Sequence, residues 1–169
     1  HITVIGTSKG GYIAQFVSTF AKNQNLNFVF IGSYQNTDIK EIPIPKCAEE
    51  EIVIKVTYSS LNYKDALSSV GNPGVTRKFP HVTGIDVAGT VYESTSNIFK
   101  SGERILVTGY DLGMNTNGGH AEFVKVPAAW VARIPDSISD KEIMTFGTAG
   151  LTAALSVSEL IDNGIKPES

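Results

Sequence analysis

Alternation of apolar and other residues dominates the middle of the chain. In EIVIKVT, residues 51–57, Ile52, Ile54 and Val56 occupy every second position, as is typical of a half-buried strand. Short runs of this kind recur from Phe28 onward and are separated by turn residues. They predict strands in NFVFIGSY, DIKEIPIP, EIVIKVTYSS, DVAGTVYES, ERILVTGY and AEFVKVPAAWVARIP. The pattern therefore predicts a small antiparallel barrel or sandwich.

Helical periodicity is confined to the two ends of the chain. A strand predicted in ITVI, residues 2–5, precedes YIAQFVSTFAKN, whose apolar residues fall on one helical face. Near the other end, Ser137 or Ser139 would cap a short helix, and Glu142 three residues beyond Ser139 is typical of a capping box. The following TAGLTAALSVSELIDNG predicts a longer helix that ends at Gly164.

Composition narrows the class of protein. The 169 residues suffice for one good core, or for one domain with a fragment of another. A net charge of -3 without a cluster of Lys and Arg argues against nucleic acid and anionic membranes as partners, and favours small molecules or proteins. We expect a cytoplasmic protein, because no apolar run approaches the ~20 residues of a membrane span and no signal peptide is recognisable.

The single cysteine, Cys47, limits redox and metal chemistry. One thiol forms no internal disulfide and builds no four-cysteine zinc site, which fits a reducing compartment. We interpret Cys47 as a small, half-buried loop residue.

Four polar side chains are crowded directly after the strand at 51–60. Asn62, Tyr63, Lys64 and Asp65 carry an amide, a phenol, an ammonium and a carboxylate, which are groups that orient substrates. A purely structural alternative makes Asn62 part of an Asx-type turn and Asp65 a helix cap.

Five segments give a further clue through their order. They are SSLNYKDAL at 59–67, FPHVTGIDVAGTV at 79–91, GERILVTG at 102–109, GGHAEFVKVP at 118–127 and FGTAGLTAAL at 146–155. From about Asn27 to Ser169 the chain therefore resembles the catalytic, GroES-like domain of the medium-chain dehydrogenase/reductase superfamily, of the zinc-free quinone oxidoreductase and acryloyl-CoA reductase type.

The resemblance implies an α+β fold, with a GroES-like, partly open β-barrel and C-terminal helices. The GroES-like domain would comprise residues 26–169 and would stop before a Rossmann cofactor domain. A fragment of this kind is expected to be inactive alone and to associate, for example as a homodimer, through an exposed sheet edge. Residues 1–25 form an extra strand-turn-helix segment without a counterpart in the family.

The resemblance also implies that no metal is used. Zinc-dependent relatives carry a cysteine where this chain has Asn62, and a histidine and a glutamate where it has Ile85 and Asp86. Without the thiolate and imidazole ligands, a tetrahedral zinc site is incomplete.

By the same resemblance, Asn62 and Tyr63 would be the catalytic residues, and Tyr63, Thr148 and Thr152 would approach the cofactor, NADPH. The implied reaction is hydride transfer to an α,β-unsaturated thioester, ketone or quinone. Tyr63 would donate a hydrogen bond to the oxygen that gains negative charge, or hold a proton-relaying water. Small hydroxyl side chains and free N–H groups near Thr148 would favour an anion or amide. Ordinary helix packing is the alternative for both threonines.

Several other residues have structural interpretations. Asp86 lies between apolar neighbours, and we expect it to form a buried ion pair with Arg104. Gly84 and Gly89 would allow close approach of another backbone. His81 and His120 lack an evident second ligand or carboxylate partner, so we expect packing roles for both.

GTSKGG at 6–11 offers a competing function. It matches the nucleophile elbow of α/β-hydrolases, with Ser8 as the nucleophile, although no acid and histidine complete a triad. A dinucleotide-type glycine loop is a weaker alternative for this segment. A noncatalytic GroES-like scaffold or interaction module is a further alternative for the whole chain.

Overall fold

The computed structural model describes the strands Thr3–Ile5, Val29–Gly32 and Thr37–Lys40 as backbone, and residues 42–166 with their side chains. The helix predicted at 12–23 and the segment around Ser8 lie outside these residues. The elements in chain order are β1 (Thr3–Ile5), β2 (Val29–Gly32), β3 (Thr37–Lys40), β4 (Glu51–Ser60), α1 (Tyr63–Ser69), β5 (His81–Val82), β6 (Asp86–Ser94), β7 (Arg104–Thr108), β8 (Phe123–Pro127), a 3-10 helix (Ala128–Trp130), β9 (Ala132–Arg133) and α2 (Asp140–Asp162).

Strand β4 pairs with three other strands of a six-stranded sheet. One edge of β4 pairs with β6, which is followed by β7 and β9, and all of these pairings are antiparallel. The other edge pairs with β8 along residues 51–55 and then, in parallel, with β1 along residues 58–60. A second sheet has the order β3-β2-β5. The α+β class is confirmed, and the mostly antiparallel sheet is not closed, which is consistent with the partly open GroES-like barrel that the resemblance implied.

The alternating pattern places apolar side chains on both faces of the sheet. One face carries the main core, in which Ile52, Ile54 and Val56 are buried as predicted. The opposite face is covered by the start of α2, whose Met144 packs with Ala88 and Ile134. Val53 is also fully buried, so the first half of β4 is enclosed on both sides rather than half exposed.

Helix α2 consists of two segments. Ser139 caps its start, accepting from the N–H of Glu142 while the Glu142 carboxylate accepts from the N–H of Ser139, which confirms the predicted capping box. Gly147 has φ 50° and ψ -154°, which is not helical, so a second segment runs from Thr148 to Asp162. Gly164, with φ 81°, follows the end of that segment as predicted.

The short helix α1 was not predicted by periodicity, because its seven residues are too few to show a repeat. Its start is set by Asn62, whose backbone is extended and whose N–H donates to the Asp65 carboxylate over 2.8 Å. Gly71, with φ 76°, lies just beyond its end.

By length and composition alone, Asp140–Asp162 could cross a membrane. The break at Gly147 divides it, and the second segment falls short of the ~20 residues that a span requires. Its first segment contributes the buried Met144 to the protein core. Length and composition are therefore weak support for a span here.

A buried histidine joins three segments near α1. His81 Nε2 lies 2.9 Å from both Ser68 Oγ and the Gly113 carbonyl, and Ser68 Oγ lies 2.6 Å from Thr76 Oγ1. Because a carbonyl only accepts, Nε2 carries a proton and donates it to Gly113. These contacts support the packing role expected for His81.

We predict that His81 makes stability depend on pH. Burial lowers the pKa of His81 from its ordinary value, and this outweighs the opposing effects of the Gly113 carbonyl and Asp111. Below about pH 6.5 the unfolded chain therefore binds more protons than the folded chain, and the free energy of unfolding falls by up to about 1.4 kcal/mol per pH unit. Urea unfolding between pH 7.5 and pH 5 measures this fall. The His81→Gln variant should show a shallower dependence, and identical slopes would contradict the assignment.

Gly89 is required where β6 pairs closely with β4 beside a register shift. A Cβ at this position would lie 2.1 Å from the Lys55 carbonyl oxygen, which as backbone cannot swing aside. We expect Gly89→Ala to lower the free energy of unfolding by about 3 kcal/mol. Gly102→Ala is the matched control, since Gly102 has φ 88° but open space around it, and should cost about 1 kcal/mol. Equal effects in urea unfolding would show that crowding at Gly89 is unimportant.

Candidate active site

The Asp86 carboxylate lies at the centre of the candidate site, although the side chain itself is fully buried. Its Oδ2 accepts hydrogen bonds from Ser60 Oγ at 2.6 Å, Asn62 Nδ2 at 2.8 Å and the Thr148 N–H at 2.9 Å. Its Oδ1 accepts from Thr148 Oγ1 at 2.5 Å. The end of β4, the start of α1 and the second segment of α2 therefore meet at one carboxylate.

Gly147 makes this meeting possible. A Cβ there would approach Asp86 Oδ2 to 2.6 Å and Ser60 Oγ to 2.7 Å, and its φ and ψ lie in a region that essentially only glycine adopts. The backbone therefore turns directly over the carboxylate and restarts the helix with Thr148 pointing at it.

A second buried carboxylate connects the same two sequence motifs. Asp65 is 1% exposed, and besides the N–H of Asn62 it accepts from the N–H groups of Gly84 at 3.1 Å and Ile85 at 3.0 Å. Burial raises the pKa of Asp65, and the electrostatic interaction with His120 and the hydrogen bonds from the N–H groups of Asn62 and Ile85 act in the opposite direction. The segments LNYKDAL and GIDVAG are thus linked in both directions, by Asp65 to Gly84 and Ile85 and by Asn62 to Asp86.

The structure brings together two of the four predicted site residues. Asn62 and Thr148 both bind Asp86. Tyr63 lies next to Asn62 at the start of α1, with 75% of the residue exposed to solvent. Thr152 is exposed on α2, where its hydroxyl donates to the Thr148 carbonyl at 2.8 Å.

The structural alternative for Asn62 and Asp65 has support in part, because Asp65 is the third residue of α1 and not its N-cap. Asn62 is the N-cap residue of α1, and Asp65 accepts its backbone N–H. Asn62 can cap α1 and contact Asp86 at the same time. Its backbone forms the start of the helix, while its Nδ2 donates to the Asp86 carboxylate.

The expected ion pair between Asp86 and Arg104 is wrong. In the register of β6 and β7, Asp86 lies opposite Thr108 and Arg104 lies opposite Thr90, four residues further along the sheet. At about 3.3 Å per residue, the two side chains are more than 10 Å apart along the strand. Arg104 instead binds Asp140, with Nη2 2.7 Å from Oδ1.

The remaining expectations concern the glycines and His120. A Cβ on Gly84 would lie 2.6 Å from the backbone nitrogen of His120, so the close approach predicted for Gly84 is confirmed, as it is for Gly89. His120 is buried, and its Nδ1 lies 2.8 Å from Thr83 Oγ1, which supports a packing role.

Sequence reasoning missed Ser60 and misassigned Asp86. The available signal was an aspartate between apolar residues, which indicates burial but does not identify a partner. The partners of Asp86 lie 24 to 62 residues away from it in the sequence and are revealed only by the fold. Among residues 42–166 and the three described strands before them, no cluster of three or more His, Cys, Asp and Glu could hold a metal ion.

The chain is similar in sequence to a known protein family. Residues 48–136 match the alcohol dehydrogenase GroES-like domain. The chain is 42% identical over 130 residues to a putative quinone oxidoreductase, YhfP, of Bacillus subtilis, which covers 77% of this chain and 39% of that protein. It is 37% identical over 129 residues to the acrylyl-CoA reductase AcuI of Ruegeria pomeroyi, covering 76% of this chain and 39% of that protein.

Solved structures agree with the sequence relatives. The yhdH oxidoreductase of Salmonella enterica in complex with NADP superimposes with a TM-score of 0.77 at 35% identity, over 85% of this chain and 45% of that one. Bacillus subtilis yhfP with NAD bound gives a TM-score of 0.77 at 38% identity, over 86% of this chain and 45% of that one.

The chain thus spans less than half the length of these relatives. The family match covers more than half of the chain, and the order of strands and the motifs around Asn62 and Asp86 lie within it. The chain belongs to the alcohol dehydrogenase GroES-like domain family of the medium-chain dehydrogenase/reductase superfamily.

Proposed function

We propose that this chain is the catalytic domain of a zinc-independent, NADPH-dependent oxidoreductase that reduces an α,β-unsaturated thioester, ketone or quinone. The observation that carries the proposal is the convergence of Asn62 and Thr148 on one buried carboxylate, in a chain 42% and 37% identical to a putative quinone oxidoreductase and an acrylyl-CoA reductase. The residues 26–169 form the catalytic domain, and residues 1–25 are an additional segment. The site of action is the cytoplasm.

The residues present fit a polar organic ligand. Tyr63 offers an exposed phenol beside Asn62, and Thr148 and Thr152 lie on consecutive turns of the second segment of α2. Tyr63, Thr148 and Thr152 would contact NADPH, which supplies the hydride when bound. A binding site completed by sequence outside this chain accords with the relatives' greater length.

The chain's own contribution is orientation and charge stabilisation. Asn62 is held by Asp86, so its amide has a fixed direction. Tyr63 donates a hydrogen bond to the carbonyl or quinone oxygen of the substrate as negative charge develops there, or holds a water that returns a proton to it. A donor that is already aligned stabilises this charge more than bulk water does, because it does not have to reorient.

The second candidate is a noncatalytic GroES-like scaffold that binds other proteins. The observation in its favour is the second segment of α2, where Leu155 is 64% exposed, Ile161 59% and Val157 54%. An apolar helix of this kind suits protein contact. The two functions differ in whether the chain binds small molecules at Tyr63.

We predict that the Tyr63 hydroxyl contributes to ligand binding. In saturation-transfer NMR, the chain should show contacts with NADPH and with an α,β-unsaturated acyl-CoA. Tyr63→Phe should weaken binding of both ligands about fivefold, as expected for one lost hydrogen bond. The protein fold should not change, because the Tyr63 side chain is exposed. Tyr92→Phe is the matched control, since Tyr92 is also exposed but packs on Phe123 at a different part of the sheet. Absence of saturation transfer to both ligands would favour the scaffold function.

For the hydrolase alternative we predict no reaction at Ser8. A fluorophosphonate probe reacts with serines activated by an adjacent base, and the sequence offers no complete triad. Intact-mass measurement of the probe-treated chain should show no adduct, with Ser8→Ala as the reference. An adduct that disappears in Ser8→Ala would support the hydrolase function.

A further inference from the structure

All the donors to Asp86 are electrically neutral. They are a serine hydroxyl, an amide, a threonine hydroxyl and one backbone N–H, contributed by Ser60, Asn62 and Thr148. A buried carboxylate normally requires a charged partner or several hydrogen bonds. Here the hydrogen bonds come from three segments of the chain, so the carboxylate stabilises their mutual arrangement.

The Thr148 N–H has a special position among these donors. It belongs to the first turn after the break at Gly147, where N–H groups have no acceptor within the helix. The start of a helix also carries a partial positive charge. Asp86 therefore occupies the position in which such a helix start would otherwise take an external anion, and it accepts both the N–H and the hydroxyl of Thr148.

The same carboxylate also fixes the Asn62 side chain. Because an ionised carboxylate only accepts hydrogen bonds, Asn62 must present its Nδ2 to Asp86, which determines which way the amide points. The tight turn at Gly147 leaves little space for the Asp86 carboxylate to move, since an added Cβ at Gly147 would approach Asp86 Oδ2 to 2.6 Å.

We infer that Asp86 is a positioning residue, which aligns the Asn62 amide with the start of the Thr148 helix and thereby sets the geometry between the catalytic and cofactor sides of the site. Asp86 does not touch the ligands itself, because its side chain is fully buried. The inference rests on the proposed function for the roles of Asn62 and Thr148, but the alignment itself is measurable without a ligand.

The test uses nitrogen-15 NMR of the full chain with Asp86→Asn and Asp86→Ala. Asp140→Asn is the matched control, because Asp140 is also a hydrogen-bonded carboxylate, yet binds Thr57 and Arg104 instead. In Asp86→Asn the Thr148 amide should exchange about five- to tenfold faster, since a charge-assisted hydrogen bond becomes a neutral one. The Asn62 side-chain amide resonances should shift in the same variant. Asp86→Ala should increase both the exchange rate of the Thr148 amide and the shift of the Asn62 resonances further. If this variant does not fold, the result with Asp86→Asn decides the test.

Unchanged Thr148 exchange and unchanged Asn62 amide resonances in Asp86→Asn, or equal changes in Asp140→Asn, would overturn the inference. A second readout is the affinity for NADPH, which should fall about fivefold in Asp86→Asn and remain constant in Asp140→Asn. Equal affinity in wild type and Asp86→Asn would also overturn it. If the wild-type chain does not bind NADPH, the cofactor contacts proposed for Tyr63, Thr148 and Thr152 fail, while the exchange and resonance data still decide whether Asp86 aligns the two segments.

Discussion

A carboxylate that is removed from water has to be compensated by its surroundings, and this requirement shapes the centre of the molecule. Asp86 has no solvent exposure and is compensated by Ser60, Asn62 and the start of the Thr148 helix. Loss of one donor removes a hydrogen bond worth about 1.5–3 kcal/mol, the usual contribution of a hydrogen bond to a charged group, so the three segments are held together more firmly than packing alone would hold them. The direction of the second segment of α2 follows from this constraint.

The glycines extend the same constraint to the backbone. Gly147 turns over the Asp86 carboxylate, and Gly89 lets β6 approach β4 at a position with no space for a side chain. Asp65 adds a second connection, because it accepts N–H groups from Gly84 and Ile85 just before Asp86. The strand that carries Asp86 is therefore fixed on both sides. A site formed at the meeting point of a sheet and two helix starts inherits that rigidity, which suits the orientation of a ligand.

Much of the fold follows from local sequence, whereas the partners of the site do not. Strand β4 and the capping box at Ser139 are predicted by short-range signals, and both are observed in the structure, although the first half of β4 is buried on both faces. Helix α1 has too few residues for a periodic signal and is defined by contacts of its first turn. The pairing of Arg104 depends on strand register, which the sequence does not specify, so the salt bridge to Asp140 was not predicted. Ser60 likewise gains its role only once β4 and β6 are paired.

The centre of the site depends on a hydrogen bond from the Thr148 N–H to the Asp86 carboxylate, and this bond can be observed directly. Scalar coupling across a hydrogen bond connects the donor nitrogen to the acceptor carbon. In the isotope-labelled chain we expect a cross-peak between the Thr148 amide nitrogen and the Asp86 carboxylate carbon. A cross-peak from the Arg104 side chain to that carbon, with none from Thr148, would contradict the central claim.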